Sequence, residues 1–378
     1  MRRLLAASST FALLAIGAGS VPSAETPPST LLGLPPQADV DSSTRINLGR
    51  KLFMDRRLSR NRTMSCGMCH VPEEGFASNQ TDTAIGLGGR HLRRNAPTLL
   101  NVGYQSSLFH DGREVSLERQ VWSPLLAEDE MDNGSRAELV ARLAALADYR
   151  EPFRRAFPGQ RIGEDLIAAA LAAYERSLAS GNSRFDRWRF GRDSEALSAM
   201  ERRGLELFTG KGGCAVCHLI GDNEALFTDR RYHNTGIGWQ RANRPAQHYT
   251  VPLAPGVTTE IAASALSELL GPQSKDEGRF EVSGRPDDRW AYKTPSLRNV
   301  ALTAPYMHDG SLPTLADVID FYDRGGTDNP GRDRLLRPLN LSAEDKAALE
   351  AFLLALTGDN VKELATEARS AFHTTGAR

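Results

Sequence analysis

Two short stretches hold all four cysteines of the chain: Cys66-Gly-Met-Cys-His70 and Cys214-Ala-Val-Cys-His218. Two thiols at this spacing with a histidine directly behind them form the attachment pattern of c-type haem. The thiols bond the porphyrin and the histidine ligates iron from one side. Four cysteines could instead form two disulfides or bind zinc, but neither use asks for a histidine behind each pair. The pattern therefore assigns Cys66, Cys69 and His70 to a first covalent haem, and Cys214, Cys217 and His218 to a second. The far side of each iron then decides the chemistry. Iron closed by a good sixth ligand carries electrons, whereas iron with an open or labile site reacts.

The segments that must position these motifs are duplicated. "APTLLNVGYQSSLFHDG" and "TPSLRNVALTAPYMHDG" align without a gap: Pro97 with Pro295, Asn101 with Asn299, and His110-Asp111-Gly112 with His308-Asp309-Gly310, all 198 residues apart. A Gly-x-x-Leu-Phe precedes each haem motif, at Gly49–Phe53 and Gly204–Phe208. A repeat of this length is a duplicated domain. The expected fold is mainly α, with few short strands: two tandem cytochrome c-like haem domains over residues 25–185 and 186–360, then a tail over 361–378. Gly163 to Ala179 reads as a helix. So does the stretch carrying Leu349, Phe352, Leu353 and Leu356, started by Ser342 and Asp345 and stopped by Gly358. Ser198 and Glu201 form a capping-box pattern. The Gly- and Pro-rich stretch 235–289 reads as mostly loop, and the basic stretch 183–192 as a solvated link between the halves.

Arg2 and Arg3 precede an apolar run from Leu4 to Ala18 and then small residues. That order is a secretory signal over residues 1–24, cut after Ala24 or after Ser20. The run is shorter than the ~20 residues that span a bilayer, so no membrane insertion is expected after cleavage. Covalent haem on an exported bacterial chain implies the periplasm. A net charge of −1 offers no electrostatic footprint for nucleic acid.

The repeat allows the two far sides to be compared. Twelve residues past Gly310 stands Tyr322, and twelve past Gly112 stands Pro124. A tyrosine can ligate iron through its phenolate and a proline cannot, so the second haem is expected to be capped and the first open. With these motifs, residues 49–358 resemble the bacterial di-haem cytochrome c peroxidase family, and within it the MauG-like branch. The conventional peroxidases carry a methionine at the place of Tyr322, and the MauG-like branch a tyrosine. A phenolate stabilises oxidised iron, whereas a thioether favours reduced iron. The conventional enzymes also have a histidine that blocks the first haem. Here Leu87, in "TAIGLGGR", stands in its place, and His91 reads as a surface residue.

The resemblance carries catalytic roles onto "ERQVWSPLLAEDEM". Glu130 would shuttle the proton that peroxide cleavage requires. Gln120 would orient peroxide, and Pro124 would keep the pocket open. The family places a tryptophan relay where this chain has His110, so coupling between the haems would run through His110 or through Trp122. A calcium ion held by Asn95, Thr303 and Pro305 is implied as well. His233, His248, His308 and His373 are left with structural roles.

The function implied is that of a periplasmic MauG-type peroxidase. It would use hydrogen peroxide at an open haem to form a high-valent di-haem state that oxidises a partner protein. One alternative is a conventional peroxidase fed by a small cytochrome c or cupredoxin. The other is a passive di-haem electron carrier.

Overall fold

Each half is built on a helix pair that a glycine lets approach closely. The helix Ser43–Met54 crosses Glu164–Ser177 at Gly49, where a Cβ would stand 1.9 Å from the Ala170 carbonyl oxygen. The helix Ala199–Thr209 crosses Ala343–Leu354 at Gly204, where a Cβ would stand 2.0 Å from the Ala348 oxygen. The Leu-Phe behind each glycine enters a core: Leu52 and Phe53 in one half, Leu207 and Phe208 in the other. In this computed structural model the described residues are 31–37, 41–243, 248–254, 257–262 and 276–373. The expected export segment lies outside them, as does part of 235–289.

The protein is mainly helical. Strands among the described residues form two antiparallel pairs, 232–233 with 292–293 and 248–254 with 257–262. The second pair, with the short helices Ile237–Ala242 and Phe280–Ser283, gives the expected loop region more order than its composition suggested. Capping boxes start the helices at Ser198/Glu201 and Ser342/Asp345, as their spacing predicted. The latter helix ends at Leu354, short of Gly358. That glycine instead serves a close approach: a Cβ there would meet the Ser180 hydroxyl at 2.2 Å.

The duplication is visible in the backbone. Asn101 and Asn299 take left-handed φ of 62° and 61°, and a short 3-10 turn follows each. Bridges Leu108–Glu114 and Tyr306–Leu312 close equivalent loops around the two His-Asp-Gly turns. Ser116 and Thr314 then cap equivalent helices. In the second half that helix runs unbroken over Leu315–Asp323. In the first half it splits at Val121 into Leu117–Gln120 and Trp122–Leu126. Pro124 supplies the reason, because it has no N–H to donate back to Gln120.

The stretch between the halves is a helix, Arg184–Arg189, rather than a solvated link. Arg184 and Arg189 do face solvent, but Phe185 and Asp186 are fully buried. Both Asp186 oxygens accept from the guanidinium of Arg298, at 2.9 and 2.8 Å. The last helix, Val361–His373, returns to the first half, where Val361 and Ala368 join its core. Arg369 there pairs with both oxygens of Glu73, just past the first haem motif, at 2.6 Å each. No helix among the described residues is long and apolar enough to cross a membrane.

Candidate active site

The two Cys-x-x-Cys-His turns have the geometry that covalent haem requires. All four thiols are free of disulfides. Each turn is closed by the histidine N–H donating 2.9 Å to the carbonyl of the first cysteine. His70 Nδ1 lies 3.2 Å from the Phe76 carbonyl, and His218 Nδ1 lies 2.8 Å from that of Phe227. A carbonyl only accepts, so Nδ1 carries the proton and Nε2 is left as the metal-binding nitrogen. Burial, against the pull of these carbonyls, lowers both imidazoles below the ordinary histidine range and keeps them neutral. It also pushes the Cys69 and Cys214 thiols up to about 11, and Cys66 further. The residues present fit haem c at both places.

Beside the first turn, a short loop gathers the residues expected over an open iron. Pro124 O accepts from the Met131 N–H at 3.2 Å, which folds Glu130 back beside Pro124. The Leu87 N–H donates 3.2 Å to the Glu130 carbonyl. Gly86 lies flat on the same turn, where a Cβ would stand 1.7 Å from the Asp129 oxygen. Leu87, Pro124 and Glu130 are thus stitched together. The charge of Glu130 is close enough to help raise both Cys66 and Cys69. Burial first, and then the neighbouring Asp129 carboxylate, push the Glu130 carboxyl up to about 7, with Arg113 opposing. At neutral pH it can both give and take a proton. Gln120 ends the helix one turn before Pro124 and is half-buried. His91 is exposed, as its sequence context suggested.

At the second turn, Tyr322 is partly buried, and its ring meets that of Phe321 edge-on at 5.3 Å. Burial raises its phenol well above the usual range, and the nearby Cys214 and Cys217 sulfurs add to the rise. The second half thus aims a phenol at its haem turn from the helix position that carries Pro124 in the first half.

His110 and Asn95 meet at a contact between the His-Asp-Gly loops. His110 Nε2 donates to Asn95 O at 3.0 Å. Burial, with the Asn95 carbonyl opposing, lowers the His110 imidazole to about 4, so it is neutral. Asn95 is buried, and its amide nitrogen donates 2.9 Å to the Asp82 carbonyl. Thr303 donates its hydroxyl to Val300 O, and Pro305 follows a cis peptide. Trp122 is buried in the first core with Arg136 4.9 Å above its ring.

Sequence reasoning missed His233. The ring sits between Asp229 and Asp333, next to Cys217. Asp229 is four residues away and was readable as a neighbour, but Asp333 is 100 residues distant.

Two imidazole–thiol turns on a duplicated helical frame define a di-haem c-type protein, and comparison with known proteins supplies the family. The family described as di-haem cytochrome c peroxidase matches residues 43–194, and one described as RoxA-like, cytochrome c-like matches residues 291–326. The methylamine utilization protein MauG of Methylorubrum extorquens is 37% identical over 86% of this chain and 81% of its own length. A cytochrome-c peroxidase, IdrP1, of Pseudomonas sp. strain SCT is 35% identical over 85% of this chain and 83% of its own. The crystal structure of a MauG-like protein associated with microbial copper homeostasis superposes with a TM-score of 0.69 at 33% identity, covering 89% of this chain and 96% of that one. The chain belongs to the di-haem cytochrome c peroxidase family. It is a haem-dependent peroxidase with two c-type haems, which sets aside the passive carrier.

Proposed function

We propose that this protein is a periplasmic peroxidase of the MauG type, exported by residues 1–24, whose peroxide-derived oxidising power is spent on a residue of a partner protein. The first haem belongs to the domain 25–185 and the second to 186–360. The observation that carries the reading is the unequal pair Pro124 and Tyr322, on equivalent helices of the two halves.

Bound haem supplies an iron that cleaves the O–O bond of peroxide and retains its two oxidising equivalents. The protein's own part begins at Glu130. Its carboxylate takes a proton from incoming peroxide, and the resulting acid returns it to the departing oxygen. Gln120 orients the peroxide. Pro124 and Leu87 offer no ligating side-chain atom, so neither position would compete for the iron. Tyr322 would hold the second iron through its phenolate, a ligand that favours oxidised iron. The Tyr322 phenol, raised by burial, would ionise against the positive charge that bound iron supplies. Asn95 commits its amide nitrogen to Asp82, so its Oδ1, with the carbonyls of Thr303 and Pro305, would be left to hold a calcium ion.

The conventional reading, in which a small cytochrome c or cupredoxin feeds electrons to the second haem, draws support from the relative named a cytochrome-c peroxidase. The two part on one experiment. Fully ferric protein receives one equivalent of hydrogen peroxide without reductant, and the Soret and near-infrared spectra are followed. The MauG-type reading expects prompt formation of a long-lived oxidised species that Tyr322→Met loses or shortens. No reaction before the second haem is reduced would establish the conventional enzyme instead.

A further inference from the structure

The Asp229–His233–Asp333 cluster has no part in the reading above. It lies on the rim of the second haem site and joins three segments. Asp229 follows Phe227, whose carbonyl holds His218. His233 is on the strand 232–233, and Asp333 lies beyond the helix that carries Tyr322.

Its protonation state follows from geometry. His233 Nδ1 is 2.5 Å from Asp333 Oδ2, and Nε2 is 2.9 Å from Asp229 Oδ2. An ionised carboxylate only accepts hydrogen bonds, so both ring nitrogens carry protons and the ring is an imidazolium. The remaining carboxylate oxygens are also engaged. Asp229 Oδ1 accepts from the Arg231 N–H at 2.9 Å, and Asp333 Oδ1 accepts from the Leu335 N–H at 2.8 Å. Burial alone would raise both carboxyls, but these N–H groups and His233 hold them below the usual range. Two carboxylates and one imidazolium leave one net negative charge.

That charge is close to the haem attachment. A His233 ring nitrogen, an Asp229 oxygen and Cys217 Sγ lie within 4.8 Å of one another. The three are not a separate metal site, because Cys217 is committed to the porphyrin. As a thioether it has neither proton nor charge to offset the cluster.

We propose that the Asp229–His233–Asp333 cluster is a positioning and electrostatic element that holds the second haem toward its oxidised state. A fixed negative charge in a partly buried site stabilises the more positive iron, through weaker screening than water provides. The inference rests on His218 holding the second haem. It does not require the Tyr322 assignment.

The test is the midpoint potential of each haem, read by spectroelectrochemistry on the haem-loaded protein. It is run at pH 6, where a histidine facing one remaining carboxylate keeps its proton. Asp333→Asn removes a charge at nearly constant shape and is expected to shift the second haem to higher potential, leaving the first in place. Asp333→Glu keeps the charge and is expected to return the potential toward the native value. An unshifted potential in Asp333→Asn would overturn the proposal, and so would a shift in Asp333→Glu as large as that in Asp333→Asn. The ferric spectrum of Tyr322→Phe, taken in parallel, reports separately on the distal ligand. If that spectrum is unchanged, the Tyr322 reading fails while the Asp333 result still stands.

Discussion

His110 and His308, equivalent residues of the two halves, are joined through a single residue. His110 Nε2 donates to the Asn95 carbonyl at 3.0 Å, and the Asn95 N–H donates to the His308 carbonyl at 2.8 Å. The contact places the two copies of the His-Asp-Gly turn on one hydrogen-bonded path. His308 completes the junction by stacking on Tyr292, with ring centroids 3.6 Å apart. Where the family resemblance implies a relay tryptophan, this chain carries an imidazole on that path.

If that path carries the coupling, His110→Phe slows the spectral change at the second haem after peroxide reaches the first. His110→Trp keeps it at least as fast as native. Stopped-flow spectroscopy separates the two, and a native rate in His110→Phe would remove His110 from the route. The same variant strands the Asn95 carbonyl, with an expected loss of about 1–3 kcal/mol in denaturant unfolding.

The role of base proposed for Glu130 fixes the sign of a pH dependence. Its carboxylate form grows as pH rises through about 7. The second-order rate of peroxide with ferric protein is therefore expected to rise through that region and level off above it. Glu130→Gln should lower the plateau by about 10²–10⁴-fold and abolish the inflection. An inflection that survives in the variant assigns the base to another residue.

Gly49→Ala and Gly204→Ala should each destabilise the protein by at least about 1–3 kcal/mol, because the new methyl meets backbone rather than a side chain that can turn away. Thermal unfolding of the haem-loaded variants measures this. Equal penalties are expected from the two, since the helix crossings are equivalent.

Arg298→Met leaves the fully buried Asp186 carboxylate without its partner and should lose about 3–5 kcal/mol in urea unfolding. Adding Asp186→Leu removes the stranded charge and should recover part of the loss.

The chemistry was legible because it is local. Cys-x-x-Cys-His fits within five residues, and the ungapped repeat displayed the Pro124–Tyr322 asymmetry with no structure in hand. The frame was legible where a capping box or an apolar period marks it, as at Ser198 and Ser342. What escaped depends on distance or on competing signals. The Gly-x-x-Leu-Phe echo was visible, but the carbonyls that demand glycine, those of Ala170 and Ala348, lie more than a hundred residues away. Ser183 and Asp186 form a capping box that the arginines around them obscured. The carbonyls that fix the two ligand histidines come from Phe76 and Phe227, six and nine residues on, so they break the register of the repeat. His233 gains its meaning only from Asp333.

The return of the Val361–His373 helix has a consequence for how the molecule is made. The first half does not own all of its core, since Val361 and Ala368 belong to it yet follow the second half in the sequence and are synthesised after it. Until they arrive, the face of the Ser43–Met54 helix that they cover stays bare, and Glu73 has no Arg369 to clasp beside the first haem turn. The second half closes from sequence largely its own. Folding is thus ordered against the direction of synthesis: the core behind the first Cys-x-x-Cys-His turn is complete only once the Val361–His373 helix has followed the second half.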